Sequence, residues 1–486
     1  MYRKLILGGP GSGKTTRLLE ILDEQFQNGL SPVDVAFVSF TRKAVLEARD
    51  RASKKFGFEP EDMVYFRTIH SLGFKEMGLR RDRVLNKEHL VKLSEMTGLT
   101  FSARSEITPF QSNDGDKALF IENFARSTGK NYEDIWKYLG EYISYYKLKL
   151  FIETLKKYKS TLGLLDFTDM LELYVKQGTP IPVRTAIIDE SQDLNYLQWK
   201  VVDKAFSEAE KVYIAGDDDQ AIYKWSGADV NKFLHLQVND TEVLPKSYRL
   251  GKAPFEYATG IISSVKDRYP KRWSHADHEG SVNFTRYIDK LDFTKGSWYL
   301  LARNKYLLKE YEDILYKQGV PHYFLGNKSI DSEDIQVIRS YEVLRNEGSI
   351  SGKEFKKVLI RLGAKIHNIK DDVQYSKKNI KMNMKIWHDQ FTSMAFKKRM
   401  YYLTALKSKQ KLVTENPKVV VDTIHAVKGG QSDNVVIMTD ISNRTWENLR
   451  FDKDDETRVF YVGITRCKQN LFVVLPKSIR YYPFKE

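Results

Sequence analysis

A single cysteine, Cys467, stands in a chain of 486 residues. One thiol closes no internal disulfide and builds no thiolate metal site, which fits a reducing, cytoplasmic compartment. Long apolar runs are also missing. The longest, residues 298–302 and 471–475, are five residues each. A membrane-spanning helix needs about 20, so helical membrane insertion is excluded. A glycine-rich pattern begins at Gly8, which leaves no room for a secretory signal ahead of it. Tandem repeats, low-complexity tracts and Pro/Gly-rich linkers are absent as well. Charge and apolar residues are plentiful, at 29% and 42%. That mixture builds globular cores and excludes a disordered chain. At about 150 residues per domain, the length suggests three domains.

The net charge of +14 comes from 78 Lys and Arg against 64 Asp and Glu, and it is unevenly placed. Residues 351–418 hold 17 basic and 5 acidic residues, an excess of 12 in one segment. Localised positive charge favours a polyanionic partner such as nucleic acid, although a solvated basic surface gives the same count.

Short apolar runs alternate with helical patterns. Strands are expected at residues 4–7, 33–40, 185–188, 212–215, 298–301, 419–423, 435–439 and 471–475, and a helix at 41–55. Short buried runs flanked by helices imply parallel sheets covered on both faces. Residues 86–150 and 331–416 break the rhythm. Both are polar with helical spacing, the second strongly basic, and both read as insertions into α/β cores.

Gly8-Gly9-Pro10-Gly11-Ser12-Gly13-Lys14-Thr15 fits G-x-x-x-x-G-K-[ST] at every fixed position. It follows a strand run and opens a helix, as the motif requires. Glycines let backbone N–H groups converge on phosphate oxygens, and the helix N-terminus adds partial positive charge. Lys14 would neutralise β- and γ-phosphates, and Thr15 would ligate Mg²⁺. The run Ile187-Ile188-Asp189-Glu190-Ser191-Gln192-Asp193 ends an expected strand in adjacent carboxylates. At the carboxyl end of a parallel strand, Asp189 would face the metal and Glu190 would act as base for an attacking water. Gly216-Asp217-Asp218-Asp219-Gln220 ends another strand. Gln220 can bond a γ-phosphate oxygen and the hydrolytic water, and Trp225 can stack a base. A lone Trp is also often a core residue.

Together these motifs resemble those of the superfamily 1A DNA helicases of the UvrD/Rep/PcrA type. Phe40-Thr41-Arg42-Lys43-Ala44 is similar to motif Ia and Thr68-Ile69-His70-Ser71 to motif Ib. Asp189 to Asp193 resembles motif II, and Gly216 to Gln220 with Trp225 resembles motif III. Tyr248-Arg249 stands where motif IV has its Tyr-Arg. Thr423-Ile424-His425-Ala426-Val427-Lys428-Gly429 resembles motif V, and Phe460-Tyr461-Val462-Gly463-Ile464-Thr465-Arg466 resembles motif VI. All occur in family order between residues 8 and 466.

The resemblance implies an α/β fold of two RecA-like parallel-sheet cores, each with a mainly helical insertion. The first core would comprise residues 1–85 and 151–240, with insertion 86–150. The second would comprise 241–330 and 417–486, with the basic insertion 331–416. The implied catalytic set is Lys14, Glu190, Gln220, Arg249 and Arg466, the two arginines reaching the γ-phosphate from the second core. Gly11, Gly13, Lys14, Thr15, Thr16, Tyr248 and Gln431 would hold ATP, with Tyr248 stacked on adenine. Thr15 and Asp189 would hold Mg²⁺. Phe40, Thr68, His70, Trp225, Thr423 and His425 would line single-stranded DNA. The implied activity is a DNA-stimulated ATPase that moves 3′ to 5′ and unwinds duplex.

Three departures from the family pattern stand out. The segment upstream of the phosphate loop that carries the family's adenine-reading glutamine is not expected here. Gly429 is followed by Gly430 and Gln431 where the family has Leu-Glu, and Ser226 replaces the usual Arg after the motif III Trp. The 86-residue basic insertion is short for the family and would grip forked duplex ahead of the motor. The compact length is what a phage-encoded version would show. Two alternatives stay open: an RNA-directed superfamily 1 helicase, and an ATP-switched nucleic-acid clamp without unwinding.

Overall fold

A computed structural model describes residues 1–39, 42–102, 113–139, 143–366, 368–380, 383–408 and 416–484. The chain divides into two compact units. One is Met1–Arg249 with Ile262–Asp277, and the other is Leu250–Ile261 with His278–Glu486.

The first unit is built on a six-stranded sheet. Its strands are β1 (Tyr2–Leu7), β2 (Val35–Ser39), β3 (Phe66–Thr68), β4 (Thr185–Asp189), β5 (Lys211–Gly216) and β6 (Asp240–Val243), in the order β3-β2-β4-β5-β1-β6. Every pairing is parallel. β2 and β4 are buried along their whole length. Alternation along each strand feeds two separate cores. Leu5, Leu7, Ala36, Val38, Ile188 and Ile214 pack on one face with Tyr174 and Trp199. Ile6, Val35, Phe37, Ile187 and Ala215 pack on the other with Leu18, Leu19 and Leu22 of the helix Lys14–Gln27. Helices on both faces are what parallel connections require. The expected strand at 33–40 starts later because Pro32–Asp34 forms a 3₁₀ turn capped by Ser31. β6 has a polar, half-exposed edge sequence that carries no apolar signal.

Four helices, Lys87–Thr97, Asp114–Thr128, Tyr132–Tyr138 and Tyr145–Leu162, form a module with its own core of Leu93, Phe120, Leu148, Phe151 and Leu155. Arg126 ties this module to the helix Phe167–Gln177. Its guanidinium donates to Glu122 at 3.0 Å, Asp166 at 3.0 Å and Glu172 at 2.8 Å, and also to Asp169. Lys159 adds a bond to Asp169 at 2.7 Å.

The second unit is built on β7 (Ser281–Thr285), β8 (Trp298–Ala302), β9 (His322–Phe324), β10 (Asn327–Lys328), β13 (Val419–Thr423), β14 (Ser432–Met438) and β15 (Cys467–Val474), in the order β10-β9-β13-β8-β14-β15-β7. All pairings are parallel except the β9–β10 hairpin. Leu300, Val421, Val436 and Met438 pack on Leu308, Tyr311 and Leu315 of the helix Leu308–Gln318. The basic insertion has a separate core that includes Tyr341, Trp387, Phe391, Tyr401 and Tyr402. It is mainly helical but contains an antiparallel pair, β11 (Ser349–Ser351) and β12 (Gln374–Ser376).

The fold is therefore α/β with parallel sheets in two cores. The first unit runs past residue 240 to Arg249, because β6 adds to the first sheet and Ser247 bonds to the β1 loop.

Candidate active site

β4, β5 and β1 lie side by side in the first sheet, so the loops at their carboxyl ends emerge together. This is where open parallel sheets bind ligands. After β1 comes the glycine-rich loop. Gly11 and Gly13 have φ of +71° and +85°, a conformation that a side chain resists. Gly13 is the N-cap of the helix Lys14–Gln27. The Lys14 ammonium is buried at the loop's centre and donates to Gly8 O at 2.7 Å. Thr15 follows on the first helical turn, and its hydroxyl donates to Asp189 Oδ2 at 3.3 Å. Thr16, next on the same turn, is exposed.

Asp189 ends β4 fully enclosed. Burial, reinforced by the Glu190 charge, pushes its carboxyl up to about 7. The Glu190 N–H, Lys14 and the Thr15 hydroxyl act in the opposite direction. An adjacent hydroxyl and carboxylate suit Mg²⁺, which takes oxygen ligands and is typically held by one or two protein carboxylates plus substrate phosphates. Among the described residues, no group of three or more Asp, Glu, His or Cys side chains is arranged to hold a metal ion.

Glu190 sits at φ +51°, ψ +38°. A non-glycine residue in this region costs on the order of 1–3 kcal/mol and is often found at functional sites. Its carboxylate accepts from Gln192 Nε2 at 2.6 Å. Gln192 Oε1 accepts the Asp217 N–H at 3.0 Å, in the loop after β5. Asp217 Oδ2 then accepts from Gln220 Nε2 at 2.6 Å. One hydrogen-bonded chain thus joins the candidate base to the candidate sensor. Gln192 and Asp217 had no role assigned from sequence, although both lie inside the quoted motifs.

Tyr248 and Arg249, expected from the second core, fall in the first unit beside the phosphate loop. The Tyr248 N–H donates to Gly11 O at 2.8 Å, and the Ser247 hydroxyl donates to Pro10 O at 2.8 Å. A Cβ on Gly11 would lie 2.4 Å from Arg249 Cβ. Tyr248 is 76% exposed. Trp273, from the segment Ile262–Asp277, packs against the loop, where a Cβ on Gly9 would meet its ring at 2.6 Å.

Three of the expected nucleic-acid residues of this unit, Thr68, His70 and Trp225, lie among the described residues. Thr68 ends the edge strand β3, and its hydroxyl caps the helix Ile69–Glu76 by accepting Ser71 N–H. Desolvation lowers the His70 imidazole to about 4, which keeps it neutral. Its ring meets the 62% exposed Phe167 edge-on at 6.0 Å. Phe167 went unnoticed in the sequence because nothing local marks an exposed helix-start aromatic. Trp225 is half-buried in a 3₁₀ turn, edge-on to Tyr223 at 6.3 Å, and belongs to no described core cluster. Phe40 lies outside the described residues.

In the second unit, Thr423 ends β13 buried and accepts the Ala426 N–H at 3.4 Å. His425 is half-buried in the following turn, and Gln431 is exposed ahead of β14. Arg466 is enclosed immediately ahead of β15. It donates to Val462 O at 2.9 Å, Gly430 O at 3.2 Å and Thr465 Oγ1 at 3.2 Å. Those bonds fix its guanidinium within the motif V and VI loops.

Sequence comparison identifies the family. The UvrD/REP helicase N-terminal domain model matches residues 2–240, and the UvrD-like helicase C-terminal domain model matches residues 354–478. The chain belongs to the UvrD/REP helicase family. Among its relatives, the family member YjcD of Bacillus subtilis is 28% identical over 317 residues, covering 60% of this chain and 40% of YjcD. The ATP-dependent DNA helicase PcrA of Staphylococcus aureus is 24% identical over 377 residues, covering 69% of this chain and 51% of PcrA. This UvrD/REP family chain therefore spans about half the length of the curated relatives it matches. Among solved structures it resembles the arterivirus nonstructural protein 10 helicase at 11% identity and a TM-score of 0.36, covering 98% of this chain and 60% of that one. A likeness that low decides nothing further.

Proposed function

We propose that this family member is an ATP-dependent DNA helicase: a DNA-stimulated ATPase that moves 3′ to 5′ on single-stranded DNA and unwinds forked duplex. The observation that carries the reading is the hydrogen-bonded chain from Glu190 through Gln192 and Asp217 to Gln220, beside the Lys14 loop. Lys14 and the loop N–H groups bind the β- and γ-phosphates of ATP, and Thr16 follows at the helix start. Thr15 and Asp189 would hold Mg²⁺, which when bound would neutralise phosphate oxygens. Gln220 orients a water toward the γ-phosphorus, and Glu190 takes its proton. The bond to the ADP oxygen breaks as the new P–O bond forms. Arg249 and Arg466 stabilise charge on the transferred group. Tyr248 stacks on adenine and Gln431 meets the ribose. Thr68, His70, Phe40, Phe167, Trp225, Thr423 and His425 line the strand.

The test is ATP turnover with poly-dT, poly-U and no polymer. The reading expects strong stimulation by poly-dT and loss of turnover in Glu190→Gln with ATP binding kept. Wild-type turnover in that variant would reject Glu190 as the base. Stimulation by poly-U alone would favour an RNA-directed enzyme.

A further inference from the structure

Three consecutive carboxylates, Asp217, Asp218 and Asp219, have no solvent exposure. Burying one charge is costly and three adjacent like charges more so, unless cations sit among them. The cations come from one short segment about fifty residues on. Lys271, its side chain completely enclosed, reaches all three: Asp217 Oδ1 at 2.7 Å, Asp219 Oδ2 at 2.9 Å, and Asp218 between them. Arg268 holds Asp219 in a bidentate pair at 2.8 and 2.6 Å, and the Tyr269 N–H donates to Asp218 at 2.9 Å. Asp217 is the branch point. Its other oxygen holds the Gln220 amide, and its N–H holds Gln192, which holds Glu190. Burial opposes the Asp217 charge, but the attraction of Lys271 and Lys14 prevails and lowers its pKa. Asp218 goes the other way, raised by burial and by its two acidic neighbours. The ion that fixes Asp217 is therefore Lys271.

We propose that Lys271 is a positioning residue for Gln220: it clamps the Asp217 carboxylate that orients the Gln220 amide toward the γ-phosphate. The inference rests on the hydrolysis reading above and adds a residue outside every motif. It makes a prediction that a purely structural lysine does not. Lys271 acts through Gln220, so its removal matters only while Gln220 is present.

The experiment is a double-mutant cycle on poly-dT-stimulated ATPase, using wild type, Lys271→Met, Gln220→Ala and the double variant, each checked by thermal melt. Misplacing a catalytic group by about 1 Å can cost about 10²-fold. Lys271→Met is expected to lower kcat by about 10²-fold with the KM for ATP within about twofold. In the Gln220→Ala background it is expected to cost nothing further. Additive losses, or a change in KM alone, overturn the proposal. Should Lys271→Met fail to fold, Lys271→Met with Asp218→Asn removes one charge of each sign and leaves Asp217 to report on the same cycle. If wild type itself hydrolyses no ATP with poly-dT, the hydrolysis reading fails and this inference with it. If wild type and Gln220→Ala behave as expected but the cycle is additive, only this inference fails.

Discussion

Asp189 carries a strongly perturbed carboxyl in the nucleotide loops. Its folded value of about 7 lies above the ordinary 3.8. Between those values the folded chain holds a proton that the unfolded chain has released. The group's contribution to stability therefore falls as pH rises from about 4 to about 7, and is level above that. Asp189→Asn removes the penalty. Without nucleotide or metal, the variant should melt above wild type at pH 8, by on the order of a few kcal/mol, with the gap closing near pH 4. Melts at the two pH values decide it, and an equal gap at both would reject burial of charge as the cause. Trp225 poses a different question. A core Trp lost to Ala costs about 3–5 kcal/mol, whereas a stacking Trp costs about 1–3 kcal/mol per base in nucleic-acid binding. Half-buried and outside the core clusters of the described residues, Trp225 is expected to fall in the second case. Trp225→Ala should keep a near-wild-type melt and lose poly-dT stimulation of ATPase.

At the scale of elements, the basic insertion shows how a charge count can mislead. Its excess of positive charge was legible in the sequence, but the pairing of that charge was not. Lys356 meets Asp371 at 2.8 Å, Lys357 meets Glu333 at 2.5 Å, and Lys398 meets the buried Asp334 at 2.8 Å. Lys397 bonds Asp313 on the helix Leu308–Gln318. Lys357, Lys397 and Lys398 thus pin helices together, and Lys356 ties its helix to a turn. Among the described residues, Lys365, Lys370, Lys378 and Lys385 have no carboxylate partner in an ion pair. Charge reversal at those four should weaken forked-duplex binding and flatten its salt dependence by about 0.9 per lost phosphate contact. Reversal at Lys397 and Lys398 should instead lower the melting temperature, with a loss of about 0.5–3 kcal/mol. Binding isotherms at several salt concentrations, alongside melts, separate the two sets. A flat response from the first set would leave the insertion without a duplex role.

For the whole molecule, the proposed function carries a direction, 3′ to 5′. Strand displacement should require a 3′ single-stranded tail, and preference for a 5′ tail would refute the assignment. What the sequence disclosed follows from range. The phosphate loop and Asp189-Glu190 are local patterns, each written within eight residues, and their strands are apolar runs. Lys271 lies 54 residues from Asp217 in a basic stretch that reads as surface. Only folding shows that its side chain is enclosed. Edge strands β3, β6 and β10 escaped for a related reason, being two to four residues long with half-exposed or exposed positions. Arg249 was expected in the other core because motif order says nothing of which sheet a segment joins.

The chain leaves the first unit after Arg249, returns at Ile262 and leaves again after Asp277. No single cut can therefore release either unit intact. A fragment stopped at Arg249 would keep Asp217, Asp218 and Asp219 but lose Lys271 and Arg268, the cations that make their burial tolerable. Limited proteolysis or truncation at the apparent boundary should yield an insoluble piece. A stable one would need residues 262–277 restored through a short linker in place of Leu250–Ile261.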